Sequence, residues 1–288
     1  MTPSEKLTPA EFNSSTTWND DLLKNPHLVK DKRKRVQQMF AAIAPSYDLN
    51  NRLHSLWMDQ AWRRKAVRLA NLKATDRVVD VACGTGDLTL AFVRALSWEV
   101  RWTGDAKKDF YPPPVIGIDF TLPMLPIARQ KANRLFPETL LIVEATRGNE
   151  LSSFINGDAQ SLPLDGQSAD VVSIAFGIRN VQDPTKALSE FRRVLRPGGR
   201  LIILEFSLPT NPILRSLYNF YFRQVLPRTA TLISGDKTGA YKYLPESVNT
   251  FIGREQMMAM MRDAGFDQVE QFPMTFGVCV CYRGMVSG

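Results

Sequence analysis

Val79-Asp80-Val81-Ala82-Cys83-Gly84-Thr85-Gly86-Asp87 opens the part of the chain that decides the fold. Arg77–Val81 is a short, largely apolar run, and the residues after it are small. A helical pattern begins at Leu88. A strand that breaks into a glycine loop before a helix lets backbone approach a ligand closely, with the first helical N–H groups facing it. A dinucleotide fingerprint requires G-x-G-x-x-G. Here Gly84 and Gly86 are followed by Thr89, so that reading fails at its third glycine. Taken alone, the loop is also compatible with a tight strand–helix turn that binds nothing.

The same rhythm repeats outward from this loop. Val115–Ile118 is predicted as a strand ending at Asp119, followed by a helix over Leu122–Phe136. Ser153–Asn156 and Val171–Ala175 are predicted strands, Pro184–Leu195 a helix, Pro197-Gly198-Gly199 a turn and Arg200–Phe206 a strand. Strands alternating with helices predict an α/β fold with a parallel sheet covered on both faces. The continuous apolar runs Val171–Ala175 and Leu201–Leu204 suit strands buried on both sides. Arg254–Gly265 is a predicted helix, followed by strand-like runs at Gln268–Phe272 and Val278–Tyr282. Residues 97–114 and 140–151 interrupt the rhythm and read as insertions at sheet connections.

Before the sheet, residues 1–28 are polar and proline-containing and are expected to form a loose tail. Val36, Met39, Phe40 and Ile43 have helical spacing, and Pro45 is expected to end that helix. Ser46–Leu53 reads as a polar-aromatic connection and Leu56–Leu72 as a second helix. The organisation expected is therefore a tail over 1–28, a helical cover over 29–74 and a catalytic α/β domain over 75–288.

The chain has 288 residues, long enough to bury a substantial core. Its longest apolar run, Val171–Ile178, is far short of the roughly 20 residues of a membrane-spanning helix. The beginning has no apolar signal region, and a cytoplasmic protein is expected. Three cysteines cannot build a disulfide framework, and with only His27 and His54 no zinc-type cluster exists, so no metal is expected. The net charge is +7, much of it in Lys30, Lys32, Arg33, Lys34 and Arg35. That run suits a solvated helical turn, an anionic membrane surface or nucleic acid.

The acid-x-small-x-Gly-x-Gly form of Asp80–Gly86 resembles motif I of the class I S-adenosylmethionine (SAM) methyltransferases. The resemblance implies a Rossmann-like sheet, with Asp80 facing the amino-acid end of SAM and Gly84, Thr85 and Gly86 leaving room for it. Asp119, 39 residues after Asp80, can accept both hydroxyls of a ribose. Asp158 can accept from an adenine amino group, and the Ala159 amide can donate to a ring nitrogen. Nucleic-acid amine methylation is disfavoured. That chemistry uses an Asn/Asp-Pro-Pro-aromatic motif after the fourth strand, where this chain has Phe176-Gly177-Ile178-Arg179-Asn180.

Four stretches taken together resemble the UbiE/Coq5 family of quinone-ring C-methyltransferases. They are Met39–Asn50, Asp80–Leu88, Ala175–Val181, and Arg193–Arg200 with Leu204–Ser207. Tyr243-Leu244 with Ser247, and Ala264-Gly265-Phe266, also fit. The resemblance implies SAM as methyl donor and a reduced prenyl quinone as acceptor; homodimers are common in the family. Departures occur at Ala82, where the family has glycine, and at Ala175, whose backbone alone can serve the donor. A Ser-x-Gly-x-His-Arg-x-Trp pattern is replaced by Ser55-Leu56-Trp57-Met58-Asp59-Gln60-Ala61-Trp62.

The implied reaction adds a methyl to a ring carbon activated by an adjacent phenolate, either in demethylmenaquinol or in the benzoquinol precursor of ubiquinone. Arg179 is assigned phenolate stabilisation, because a guanidinium cannot act as a free base. Asn180 is expected to orient a water or ring oxygen. Tyr47 and Asp48 belong to the cover, with Asp48 a partner for Arg179 or a base, and His54 a further candidate base. The aromatic stretch Asn211–Leu232, bounded by Pro227, is either a buried helix or a lid for a prenyl tail, which with the basic run would give peripheral contact at the inner membrane face. Another lipid or phenol acceptor, or a SAM-fold scaffold without turnover, are the competing readings.

Overall fold

The computed structural model describes residues 17–102, 115–136 and 152–288. Helices α1 (Asp20–Leu23), α2 (Lys32–Ile43), α3 (Tyr47–His54) and α4 (Met58–Leu69) precede the sheet. Then come β1 (Val78–Val81), α5 (Asp87–Trp102), β2 (Val115–Asp119), α6 (Met124–Leu135), β3 (Ser152–Asn156), β4 (Ala169–Ala175), α7 (Pro184–Val194) and β5 (Leu195–Phe206). Next follow α8 (Pro212–Phe220), α9 (Leu226–Ser234), α10 (Ala240–Asn249), α11 (Arg254–Asp263), β6 (Asp267–Met274) and β7 (Cys279–Met285).

The seven described strands lie in the order β3-β2-β1-β4-β5-β7-β6. Neighbours are parallel except at β7, which runs antiparallel to β5 and β6. Alternation sorts each strand between two cores. Val79, Val81, Leu201 and Ile203 pack with Leu188 and Phe191 of α7 and Met257 and Met261 of α11. Val78, Ile202 and Leu204 pack on the other face with Trp62 and Ala66 of α4 and Phe92 and Leu96 of α5. Burial on both faces is what the uninterrupted apolar strands anticipated. No described helix is long and apolar enough to cross a membrane.

Several local expectations are corrected. Residues 17–28 are not a loose tail: Trp18 is buried against Tyr243, ring centroids 4.5 Å apart, and α1 is capped by the Asn19 side chain, which accepts from the Leu22 N–H. Pro45 does not open a loop. It sits in a 3₁₀ turn, Ala44–Ser46, that leads straight into α3, because a proline in a first turn has no helical N–H to lose. Helix α5 continues to Trp102, so the expected 97–114 insertion starts within it. Residues 103–114 and the 140–151 insertion lie outside the described residues. The Pro197-Gly198-Gly199 turn lies within β5, where Ala169 pairs with Leu195 and Val171 next pairs with Arg200, so Arg196–Gly199 bulges out.

Pro227 does not bound its helix either. A π-turn over Tyr221–Val225 joins α8 to α9, and Pro227 lies in the first turn of α9. Proline lacks an N–H and its ring crowds the carbonyl four residues back; the wider turn accommodates both. The cover is also larger than its N-terminal part. Val36, Met39 and Ile43 of α2 share a core with Tyr218, Phe222, Leu226, Ala230, Tyr241 and Tyr243 from α8 to α10.

Candidate active site

Between β1 and β4 the strand order reverses direction, and open α/β sheets bind ligands in the crevice at such a point. A cleft of about 770 Å³, counted out to solvent, opens there. Its floor is Ala82 and Gly84 after β1, Asp119, Phe120 and Thr121 after β2, Gly157–Ala159 after β3, and Ala175–Gly177 with Asn180 after β4. Arg33, Val36, Gln37, Phe40 and Tyr47 of the cover form its roof.

The loops approach too closely for larger residues. A Cβ on Gly177 would meet the Ala82 Cβ at 2.6 Å, and one on Gly157 would meet the Ile118 methyl at 2.8 Å. Gly84, at φ +54°, has nothing within 4 Å of where its Cβ would stand. Ala82 holds φ +52° without being glycine, a conformation costing roughly 1–2 kcal/mol in an L-residue. Trp57, at the position of a family glycine, likewise keeps a left-handed backbone at φ +60°.

Asp119 lies on the cleft wall. Its Oδ2 accepts from the Gly84 N–H at 2.7 Å and its Oδ1 from the Thr121 N–H at 2.6 Å, so the two loops share one carboxylate. Burial raises its pKa against those two bonds. Asp158 also lines the cleft, accepts from the Gln160 N–H at 3.0 Å and pairs with Arg33 at 3.0 Å.

Three expected donor contacts sit elsewhere. Asp80 is buried beneath the floor, accepting from Thr89 Oγ1 at 2.6 Å and Ser173 Oγ at 2.7 Å, and does not line the cleft. Burial raises its pKa to about 6 against these hydroxyl bonds. An acid next to a strand on a two-sided sheet points into a core unless the chain turns first, and here the turn begins at Ala82. Thr85 and Gly86 are also off the wall. Gly86 is needed because its Cβ would press on Ala128 and Phe154 at 3.1 Å, and the Thr85 hydroxyl donates to Asp48 at 2.6 Å.

Asp48 is not the partner of Arg179. It pairs with Lys131 at 2.8 Å, and Lys131 also binds Asp87. Burial pushes the Asp87 carboxyl up, but Arg63, Lys131 and Arg52 outweigh it and hold it at about 2. Arg179 is buried and pairs with Glu205 at 2.6 Å, donates to the Phe176 carbonyl at 2.7 Å and meets Ser247 Oγ at 3.3 Å. Asn180 donates to the same Phe176 carbonyl at 3.1 Å and accepts from the Tyr243 hydroxyl at 2.9 Å. His54 is excluded as a base: one ring nitrogen meets the Asn50 carbonyl at 2.9 Å, the other Thr229 Oγ1 at 2.8 Å, and it lines neither cavity.

A second chamber adjoins the cleft and shares Phe40, Tyr47 and Phe176 with it. Arg179, Arg63, Asp59, Phe206, Tyr241 and Tyr243 complete much of its wall. Burial raises the pKa of Tyr47, while Arg63 and Arg179 pull it down. The geometry is a polar-ended cleft joined to an aromatic chamber with buried cations.

Comparison with known proteins fits this arrangement. The model of the ubiE/COQ5 methyltransferase family matches residues 28–286. The chain belongs to this family. A demethylmenaquinone methyltransferase of Thermus thermophilus is 46% identical over 246 residues, 85% of this chain and 99% of that protein. A ubiquinone/menaquinone biosynthesis C-methyltransferase UbiE of Geobacter sp. is 38% identical, covering 90% of this chain and 99% of the relative. Among solved structures, a SAM-dependent methyltransferase from Thermotoga maritima shares the fold, with a TM-score of 0.53 at 20% identity over 87% of this chain and 99% of that one. This ubiE/COQ5 member is thus a methyltransferase with the class I SAM-dependent fold.

Sequence reasoning missed Arg33, Gln37, Lys131 and Glu205. Arg33, Val36, Gln37 and Phe40 recur at helical spacing, so the roof face of α2 was available as a pattern. The basic run was read as surface, yet Lys32 is 1% exposed and donates to the Val181 carbonyl at 2.6 Å. Arg33 lies over the Phe120 ring at 4.4 Å. Glu205 and Lys131 meet their partners only through tertiary packing.

Proposed function

We propose that this enzyme transfers a methyl group from SAM to a ring carbon of a reduced prenyl quinone, with demethylmenaquinol as the acceptor favoured by its relatives' names. The observation that carries the reading is the joined pair of cavities. One has carboxylates and backbone groups at the strand ends; the other is aromatic with a charged end.

The residues present fit SAM. The open space over Gly84 admits a ligand's amino-acid end to the loop, as a side chain there would not. Each Asp119 oxygen accepts one backbone N–H and keeps a lone pair for a ribose hydroxyl. Asp158 and the Ala159 amide stand at the adenine end, with Ala175 contributing backbone beside the shared wall. SAM supplies a sulfonium-bound electrophilic methyl group.

The protein's share is positioning and electrostatics. Arg179 keeps its charge through Glu205, and its Nη2 has no partner among the described residues, leaving donors for a phenolate oxygen. Asn180, held by Phe176 and Tyr243, fixes the loop that carries Arg179. Tyr47 closes the junction between cavities, and Asp48 ties the cover to Thr85. Exclusion of water by the aromatic walls strengthens these interactions where an anion meets a cation.

We further propose contact with a membrane surface through α8 and α9. Ile213, Leu217 and Phe220 recur on one exposed face, 62–72% exposed, and Leu232 is 85% exposed. Residues 206–235 carry Arg215, Arg223 and Arg228 and no acid, which suits anionic lipid.

Labelled SAM offered with reduced and with oxidised demethylmenaquinone in detergent tests the function. Transfer only to the reduced form is expected. Transfer to neither, with SAM bound, would refute it.

A further inference from the structure

We propose that Arg63, held by Asp59, binds the second oxygen of the acceptor ring, para to the one beside Arg179, so that the enzyme selects 1,4-dihydroxylated rings. This rests on the quinol reading above and adds a specificity determinant to it.

Asp59 and Arg63 lie one turn apart on α4 and both line the aromatic chamber. Arg63 is 7% and Asp59 4% exposed. Arg63 Nη1 donates to Asp59 Oδ2 at 2.7 Å and to the Asp59 carbonyl at 3.2 Å. Its Nε and Nη2 have no hydrogen-bond partner among the described residues, yet they are not sealed from solvent. Asp59 is itself fixed, accepting from Ser55 Oγ at 3.0 Å and Gln60 Nε2 at 2.9 Å. The pair is therefore a guanidinium neutralised along one edge, with donors left on the other.

Arg179 repeats the arrangement with Glu205. The two cations flank one aromatic pair. Phe176 and Phe206 lie 4.6 Å apart, Arg63 sits 5.3 Å over Phe176, and Arg179 sits 5.4 Å over Phe206. Both guanidiniums also pull down the pKa of the same Tyr47 hydroxyl, which places both near it. A flat ring with an oxygen at each end meets an N–H donor at each end. A ring with one oxygen leaves Arg63 desolvated without an acceptor, and a site built to hydrogen-bond a substrate group discriminates strongly against its absence. Asp59 acts through Arg63 and is a positioning residue.

The test compares kcat/KM for a short-prenyl reduced 1,4-dihydroxynaphthalene with that for the naphthol lacking the para oxygen. Both are run on wild type, Arg63→Lys and the charge-balanced pair Arg63→Gln with Asp59→Asn. Comparing ratios cancels the intrinsic reactivities of the two rings. The diol-to-naphthol ratio is expected to fall about 10- to 100-fold in the double variant, the worth of a hydrogen bond to a charged group. KM for the diol should rise, Arg63→Lys should recover part of the ratio, and calorimetric SAM affinity should hold. An unchanged ratio, or equal loss on both acceptors together with SAM affinity, would overturn the proposal in favour of a structural pair. No transfer to either ring by wild type would instead overturn the quinol reading beneath it.

Discussion

The Thr85 hydroxyl donates to the Asp48 carboxylate at 2.6 Å, joining the loop after β1 to the first turn of α3. Lys131 of α6 bonds both residues, at 2.8 Å to Asp48 and 3.2 Å to Thr85. One cation thus fastens cover, loop and sheet together beside the donor cleft. Asp48→Ala is expected to weaken SAM binding about tenfold, from the loss of charged hydrogen bonds worth about 1.5–3 kcal/mol. Calorimetry with SAM reads this directly, and unchanged affinity would show that the latch does not shape the cleft.

Asp119 should be less replaceable. Asp119→Ala removes the acceptor for the Gly84 and Thr121 N–H groups as well as any ribose contact. A fall in SAM affinity of about 100-fold is expected, since leaving each buried donor unpaired costs about 1–3 kcal/mol. Asp119→Asn keeps only one acceptor oxygen and should lose an intermediate amount by the same titration.

Arg179 and Glu205 call for paired substitutions. Arg179→Ala strands Glu205 inside the protein, and breaking a buried pair from one side costs about 3–5 kcal/mol. Arg179→Met with Glu205→Gln should recover most of that stability in chemical denaturation. Its kcat should still be reduced about 100-fold, the scale for losing one stabilising donor. Recovery of turnover along with stability would remove Arg179 from the chemistry.

His27 gives the stability a defined pH slope. Its Nε2–H donates to the Ser247 carbonyl at 2.8 Å, and its Nδ1 faces the Lys32 ammonium at 3.4 Å. Burial, joined by Lys32 and Arg179, lowers its pKa to about 4. The unfolded chain takes up this proton from about pH 6.5 downward while the folded protein resists, so His27 costs stability as pH falls from about 6.5 to about 4. Asp80, raised to about 6, acts oppositely: its stabilising share is present below about pH 4 and is lost as pH rises to about 6. His27→Gln should therefore melt higher than wild type at pH 4.5 relative to pH 7.5, by up to about 3 kcal/mol. A difference independent of pH would contradict the assignment.

The sheet was legible because its strands are uninterrupted apolar runs closed by acids or small residues, as at Val78–Val81 and Val115–Asp119. The cleft was legible for a related reason: Gly84, Asp119, Asp158 and Ala159 follow strand ends, and strand ends converge in this topology. Asp80 was misread because one residue of register separates a cleft wall from a core position. His54 and Asp48 were misread because their partners, Thr229 and Lys131, are 175 and 83 residues away. The roof face of α2 was readable from its period but was hidden by charge, since Lys32 and Arg33 look like surface residues until Val181 and Asp158 are placed against them.

The central claim is methylation at carbon of a reduced quinone ring, and the product itself tests it most directly. Incubation with SAM carrying a ¹³C methyl, a reduced prenyl demethylnaphthoquinol and the purified protein is followed by NMR of the extracted product. The account predicts a ring-bound methyl resonance next to an oxygen-bearing carbon, formed only when reductant keeps the acceptor as the quinol. A methoxy resonance, or no ¹³C incorporation by protein that binds SAM normally, would contradict it.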